Sequence, residues 1–130
     1  MEFDFKGQTA IVTGGTRGIG RAISEAFLTA GAKVIATYRS NKEEAKKFTE
    51  DNSGHAECLE IYKFDVTCYD EVEKFYKEVE NKHGDLQIVV VSSGIRSDSI
   101  VGMMKEEDWN NVIDTNLTGT FIISKLAVQY

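Results

Sequence analysis

Thr13-Gly14-Gly15-Thr16-Arg17-Gly18-Ile19-Gly20 is the stretch on which the reading of this chain turns. It follows the apolar run Thr9-Ala10-Ile11-Val12 and opens an amphipathic segment that closes at Ala30-Gly31. A strand, a glycine turn and a helix start bring free backbone N–H groups and the positive end of a helix dipole to one point, which makes a site for an anion. Each glycine has its own task there. Gly14 permits the tight turn off the strand, Gly18 lets a pyrophosphate approach the backbone, and Gly20 lets the helix pack closely on the sheet. The spacing is G-x-x-x-G-x-G, not the commoner G-x-G-x-x-G. A glycine cluster behind a strand can also be a plain turn, so the rest of the chain must decide.

Strand and helix patterns alternate along the sequence, the signature of a parallel sheet with helices on its faces. The first strand is expected at about residues 8–13. Its helix carries Ala22, Ile23, Ala26, Phe27 and Ala30 at three-and-four spacing and stops at Gly31. Lys33 to Tyr38 reads as the second strand. Ser40 with Glu43 has the form of a capping box for a short polar helix that turns Ala45 and Phe48 inward. Asp51-Asn52-Ser53-Gly54 is a loop, and Leu59 to Phe64 a third strand. A helix over about Asp70 to Lys82 places Val72, Phe75, Tyr76 and Val79 on one face and ends at Gly84. Leu86 to Val91 is nearly all apolar, as a strand buried on both faces should be. A long helix opens on the acidic Glu106-Glu107-Asp108, with Trp109, Val112, Ile113, Leu117, Phe121 and Leu126 expected along its inner side.

Right-handed crossovers then give a doubly wound, three-layer αβα sheet in the order 3-2-1-4. The glycine turn falls at the topological switch point, where such sheets bind ligands. The fourth strand would be an apolar, uncharged edge, which is a liability. Residues 1–130 are therefore expected to be half of a single larger domain of Rossmann type.

Composition narrows the partners. The chain has 130 residues, 21 acidic and 15 basic, for a net charge of −6. That balance argues against nucleic acid or an anionic membrane as partner. No apolar run approaches the roughly 20 residues that span a bilayer, and the N-terminus lacks the blocks of a signal peptide, so a cytoplasmic location is expected. Cys58 and Cys68 are too few for a disulfide framework. His55, Cys58 and His83 do not form a second pair with ligand spacing, so no metal is expected.

Taken together, these segments resemble the short-chain dehydrogenase/reductase family over all 130 residues. The phosphate-binding pattern T-G-x-x-x-G-I-G is met by Thr13, Gly14, Gly18, Ile19 and Gly20. Asp65-Val66 matches the motif at the end of the third strand, whose carboxylate the resemblance places at the adenine amino group. Asn116-Leu117-Thr118-Gly119 matches the N-x-x-G of the long helix. Ile95 to Ser99, Met103 to Trp109 and Asp114 to Leu117 resemble the 3-oxoacyl-acyl-carrier-protein reductases of fatty-acid synthesis more closely. Sugar and secondary-alcohol dehydrogenases share much of the same text.

The resemblance implies a nicotinamide cofactor bound by Thr13, Gly14, Thr16, Arg17, Gly18, Ile19, Gly20, Thr37, Tyr38, Arg39, Ser40, Asp65, Val66, Ser92, Ser93, Gly94 and Ile95. It implies hydride transfer to a ketone, a tyrosine proton donor tuned by a lysine, a serine on the substrate oxygen, and Asn116 in a water-linked proton relay. It also implies a homo-oligomer, a tetramer, for the whole protein. Two departures stand out. The usual Asn-Asn-Ala-Gly after the fourth strand is replaced by Val91-Ser92-Ser93-Gly94, and a serine hydroxyl cannot reproduce all the bonds of an amide. Of the catalytic set only Asn116 is present, so residues 1–130 alone are expected to be inactive. Tyr38 and Lys42 form a Tyr-x-x-x-Lys, but at the adenosine end, where it reads as coincidence. A non-catalytic NADP-binding module and a sugar or small-alcohol dehydrogenase of the same family are the alternative readings.

Cofactor choice is legible too. NAD enzymes of this fold place an acid near the end of the second strand, on the ribose 2′-OH. Here the stretch is Thr37-Tyr38-Arg39-Ser40-Asn41, with no carboxylate before Glu43. Arg17 and Arg39 can offer paired, charge-assisted hydrogen bonds to a 2′-phosphate, with Thr37 or Ser40 adding a hydroxyl, so NADPH is expected over NADH.

Overall fold

The computed structural model describes residues 2–130. Four strands, β1 (Thr9–Thr13), β2 (Lys33–Tyr38), β3 (Leu59–Lys63) and β4 (Ile88–Val91), form one sheet in the order β3-β2-β1-β4. Every neighbour pair is parallel, with Ile11 opposite Ile35 and Val89, and Ala36 opposite Ile61. Helices α1 (Gly18–Thr29) and α2 (Lys42–Asp51) supply one face, α3 (Tyr69–His83) and α5 (Gly119–Ala127) the other, and α4 (Glu106–Ile113) precedes α5 without burying a residue. The expected doubly wound order is therefore the observed one.

Alternation along β1 divides the core in two. Ile11 and Ile35 face a cluster with Val72, Phe75, Tyr76 and Val79 of α3 and Ile122, Ile123 and Leu126 of α5. Val12, Val34 and Ala36 face Leu28 of α1 and Phe48 of α2. All five residues of β1 are buried, as a central parallel strand covered on both faces requires. Tyr76 is wholly buried, and its hydroxyl donates to the Ile123 carbonyl at 3.0 Å, which joins α3 to α5. Burial raises the Tyr76 phenol above its ordinary range, so it stays a donor.

Three local expectations are corrected. The inner row of α1 is Gly20, Ser24 and Leu28, with Ile23 and Phe27 half-buried, while Ala22 and Ala26 are exposed. Apolar periodicity picked the alanines, but the close approach of Gly20 to the glycine turn fixes the rotation of the helix. The cap of α2 is Asn41 rather than a Ser40–Glu43 box: its side chain accepts from Glu44 N–H at 3.1 Å. Strand β4 is shorter than expected and only half-buried, because beyond β1 it has no second neighbour in the sheet.

The largest correction concerns the last helix. Between α4 and α5 the turn Asp114–Thr118 is π-helical, although the chain keeps right-handed helical dihedrals through Thr118 and Gly119. One wide turn shifts the phase of everything after it. Thr115, Gly119, Ile122, Ile123 and Leu126 face inward. Trp109, Leu117 and Phe121, placed inside by simple periodicity, are exposed. The π turn also lets Gly119 sit against Val66, where a Cβ would meet the valine methyl at 2.7 Å.

At the amino end of the sheet, Glu60 of β3 takes Lys82 Nζ at 3.0 Å and lies 3.1 Å from His83 Nε2. Lys33 Nζ stands 3.1 Å from His83 Nδ1; an ammonium can only donate, which assigns the imidazole proton to the Glu60 side. Burial alone would push the Glu60 carboxyl up, but the Lys82 ammonium and the His83 ring beside it outweigh that and hold it below the usual carboxylate range. A carboxyl depressed on folding stabilises the fold above its unfolded pKa, and that contribution is lost as pH falls through the lower folded value. Urea denaturation should therefore find Glu60→Gln less stable than the unaltered chain at pH 7, with the gap closing as the pH falls from 5 to 3. A gap independent of pH would show that the carboxylate is not held in this way.

Candidate functional site

The carboxyl ends of β1, β2 and β4 and the start of α1 surround a cleft of about 410 Å³, inside the range of roughly 300–1,000 Å³ of small-molecule sites. Its wall at β1 is the glycine turn. Gly14 has φ +62° and Gly18 φ +56°, a region L side chains rarely adopt. A Cβ on Gly20 would collide with the Gly14 carbonyl, so α1 begins in direct backbone contact with the turn. The Ser24 hydroxyl donates to Gly15 O at 2.9 Å, and Gly15 N–H donates to Thr37 O at 3.1 Å, which locks the turn to α1 and to the end of β2. No side chain caps α1. Its first N–H groups are left for a ligand, and the open space at Gly18 leaves room for one.

Most of the expected residues meet here. Gly14, Thr16, Arg17, Gly18, Ile19 and Gly20 come from the turn, Thr37, Tyr38, Arg39 and Ser40 from the end of β2, Val66 from beyond β3, and Ser92, Ser93, Gly94 and Ile95 from the loop after β4. Three expected residues do not line the cleft. Thr13 is wholly buried behind it, and its Oγ1 accepts from the Ser92 and Ser93 N–H groups at 3.1 and 3.2 Å. Asp65, partly exposed between the lining residues Phe64 and Val66, is the second. Its Oδ1 accepts from Thr67 N–H at 2.9 Å and Thr67 Oγ1 at 2.7 Å, and its Oδ2 lies 3.3 Å from Arg39 Nε. Partial burial alone would raise the Asp65 carboxyl; the Thr67 donors and the Arg39 charge outweigh it and hold it below the usual range.

Asn116 is the third. Its Oδ1 accepts from Ile95 N–H at 2.8 Å and its Nδ2 donates to Ile95 O at 2.9 Å. The side chain on the π turn therefore pins the loop after β4 to the last helix. Any proton relay through Asn116 would have to use the hydrogen-bonding capacity that remains. Four participants escaped sequence reasoning. Asn41, Phe64 and Thr115 also line the cleft, and Ser24 holds the turn from behind. Phe64 had a signal, its place at the carboxyl end of a strand, the edge of the sheet where the cleft lies. Ser24 had none, because a serine on a helix reads as solvent-facing. Tyr38 lines the cleft, Lys42 is exposed at the start of α2, and Tyr130 stacks on Tyr76 with ring centroids 6.0 Å apart.

The fold, the turn and the cleft together define a dinucleotide-binding class of α/β protein, and comparison with known proteins narrows it. The short chain dehydrogenase family profile matches residues 8–130, and the chain belongs to that family. Among curated relatives, the acetoacetyl-CoA reductase of Paracoccus denitrificans is 41% identical over 88% of this chain and 45% of its own length. The 3-oxoacyl-acyl-carrier-protein reductase of Escherichia coli is 35% identical over 97% of this chain and 50% of its own. Among solved structures, a glucose/ribitol dehydrogenase of the family from Brucella melitensis superposes with a TM-score of 0.90 at 32% identity, covering 99% of this chain and 54% of that one. The chain spans about half the length of the curated relatives it matches. Among the described residues no helix is long and apolar enough to cross a membrane, and no cluster of three potential metal ligands is found.

Because Thr13 Oγ1 serves two main-chain donors, Thr13→Val should cost about 1–3 kcal/mol of stability. It should also loosen residues 92–95, while Thr13→Ser should keep both bonds. Chemical denaturation with amide hydrogen exchange at Ser92 and Ser93 checks this; equal behaviour of the two variants would contradict it.

Proposed function

We propose that residues 1–130 form the cofactor-binding half of a single-domain, NADPH-dependent oxidoreductase that reduces the ketone of a 3-oxoacyl thioester to a hydroxyl. The observation that carries the proposal is the pairing of an uncapped α1 N-terminus with two arginines at the same cleft, and no carboxylate where a ribose 2′-OH would be held. The donor set fits such a cofactor. The turn from Arg17 to Gly20 offers N–H groups to a pyrophosphate, and Phe64 and Val66 offer an apolar floor. Arg17, exposed and in no ion pair among the described residues, and Arg39 can meet a 2′-phosphate, with Thr37, Ser40 or Asn41 adding polar contacts.

The cofactor, once bound, supplies the hydride; this chain's own residues hold and orient it. Ser92, Ser93 and Gly94 form the wall that leads from the turn to the loop at Ile95. Asn116 fixes that loop through its two bonds to Ile95 and so sets where the reactive end of a dinucleotide can lie. The relatives named as reductases act on acetoacetyl-CoA or 3-oxoacyl-acyl-carrier protein, which share a 3-oxoacyl thioester, and that shared group is the substrate class we assign. A homo-oligomer working in the cytoplasm is the corresponding proposal for the whole protein.

Titrating NADPH and NADH against the chain tests the reading. Each charge-assisted bond is worth roughly 1.5–3 kcal/mol, so Arg17→Ala and Arg39→Ala should each weaken NADPH binding roughly ten- to a hundredfold. NADH binding should barely move. Equal affinity for the two cofactors in the unaltered chain, or binding of neither, would end the proposal.

A further inference from the structure

Arg39 and Asp65 form an ion pair whose two members are held very differently. Asp65 is fixed, with Oδ1 engaged by both Thr67 donors and its own N–H donating to Glu71 Oε2 at 2.9 Å. Arg39 is 58% exposed, approaches Asp65 through Nε at 3.3 Å, and has no other ion-pair partner among the described residues. Arg39 lines the cleft, and so do Phe64 and Val66 on either side of Asp65 in the chain. A resident carboxylate and any phosphate in the cleft therefore draw on the same guanidinium.

We propose that Asp65 is a specificity-determining residue that acts through Arg39, tempering its grip on a ribose 2′-phosphate. The inference rests on reading the cleft as an NADPH site. Two effects of the carboxylate oppose each other. Ordering Arg39 in advance would favour the phosphate, but an exposed ion pair orders a long side chain only weakly. Its charge works the other way: it neutralises part of the guanidinium and repels a group that carries nearly two negative charges. The second effect is the larger, so removing the charge should sharpen the choice of cofactor. The pair sets a moderate preference, from which the cofactor can still be released.

Asp65→Asn tests this, because asparagine keeps an oxygen for the Thr67 donors and so preserves the turn. The quantity to measure is the ratio of NADPH to NADH affinity of the 130-residue chain, in which any contact of residue 65 with the shared part of the two cofactors cancels. The ratio should rise about three- to tenfold in Asp65→Asn, and much less when the same change is made in Arg39→Ala. A fall would make Asp65 a positioning group, and an unchanged ratio would give it no part in specificity; either overturns the inference while leaving the cofactor reading intact. An equal rise in the Arg39→Ala background would overturn it as well, since the effect would not pass through Arg39. No NADPH preference in the unaltered chain overturns the cofactor reading and the inference with it. Nitrogen-15 NMR of the Arg39 Nε–H in the unaltered chain gives a second readout that needs no variant. NADPH should shift that signal and NADH should not, and a signal indifferent to both would overturn the exchange of partners.

Discussion

A side chain at residue 20 would have to occupy the place of the Gly14 carbonyl, and the geometry of the site follows from that backbone contact. Because α1 starts against the turn, its rotation is set before any apolar side chain is counted. Gly20, Ser24 and Leu28 fall inward in consequence, and the Ser24 hydroxyl is delivered to Gly15 O. The same contact aims the uncapped end of the helix at the carboxyl edge of the sheet. An anion arriving there meets N–H groups whose orientation is fixed, so little ordering remains to be done on binding.

Around this point the cleft is assembled from segments far apart in the chain, and each joint is a hydrogen bond to main chain. Gly15 N–H holds Thr37, Thr13 Oγ1 holds Ser92 and Ser93, and Asn116 holds Ile95. Main-chain bonds place a loop without fixing which side chains it carries. The stretch Val91-Ser92-Ser93-Gly94 is held in this way. Ser92 and Ser93 line the cleft while their N–H groups are anchored by Thr13. Arg17 and Arg39 line the same cleft as Ile95 of the Asn116-pinned loop.

Legibility in the sequence followed the range of the interactions. Strand order was legible because crossover handedness and alternating elements leave few topologies, and the turn was legible because positive φ at Gly14 and Gly18 needs glycine. Helix phase was not. Ala22 and Ala26 have the right spacing to be buried, yet a backbone contact at Gly20 outvotes them. Leu117 and Phe121 fail for a different reason, since a single π turn resets the phase and nothing in local composition announces it. Thr13, Asp65 and Asn116 were found by motif, but not the bonds they make. Their polar atoms serve neighbouring main chain or a partner side chain, and that division of labour exists only in three dimensions.

The central claim is that the uncapped start of α1 and the loop after β4 hold one dinucleotide between them. Amide NMR of the 130-residue chain during titration with NADP⁺ tests it most directly. The account predicts saturable shifts at Arg17 to Gly20 and at Ser92 to Ile95 with a single dissociation constant, while amides at the amino end of the sheet, such as Lys33, stay still. Saturable binding that leaves Arg17 to Gly20 unmoved, or shifts spread without regard to the cleft, would contradict it.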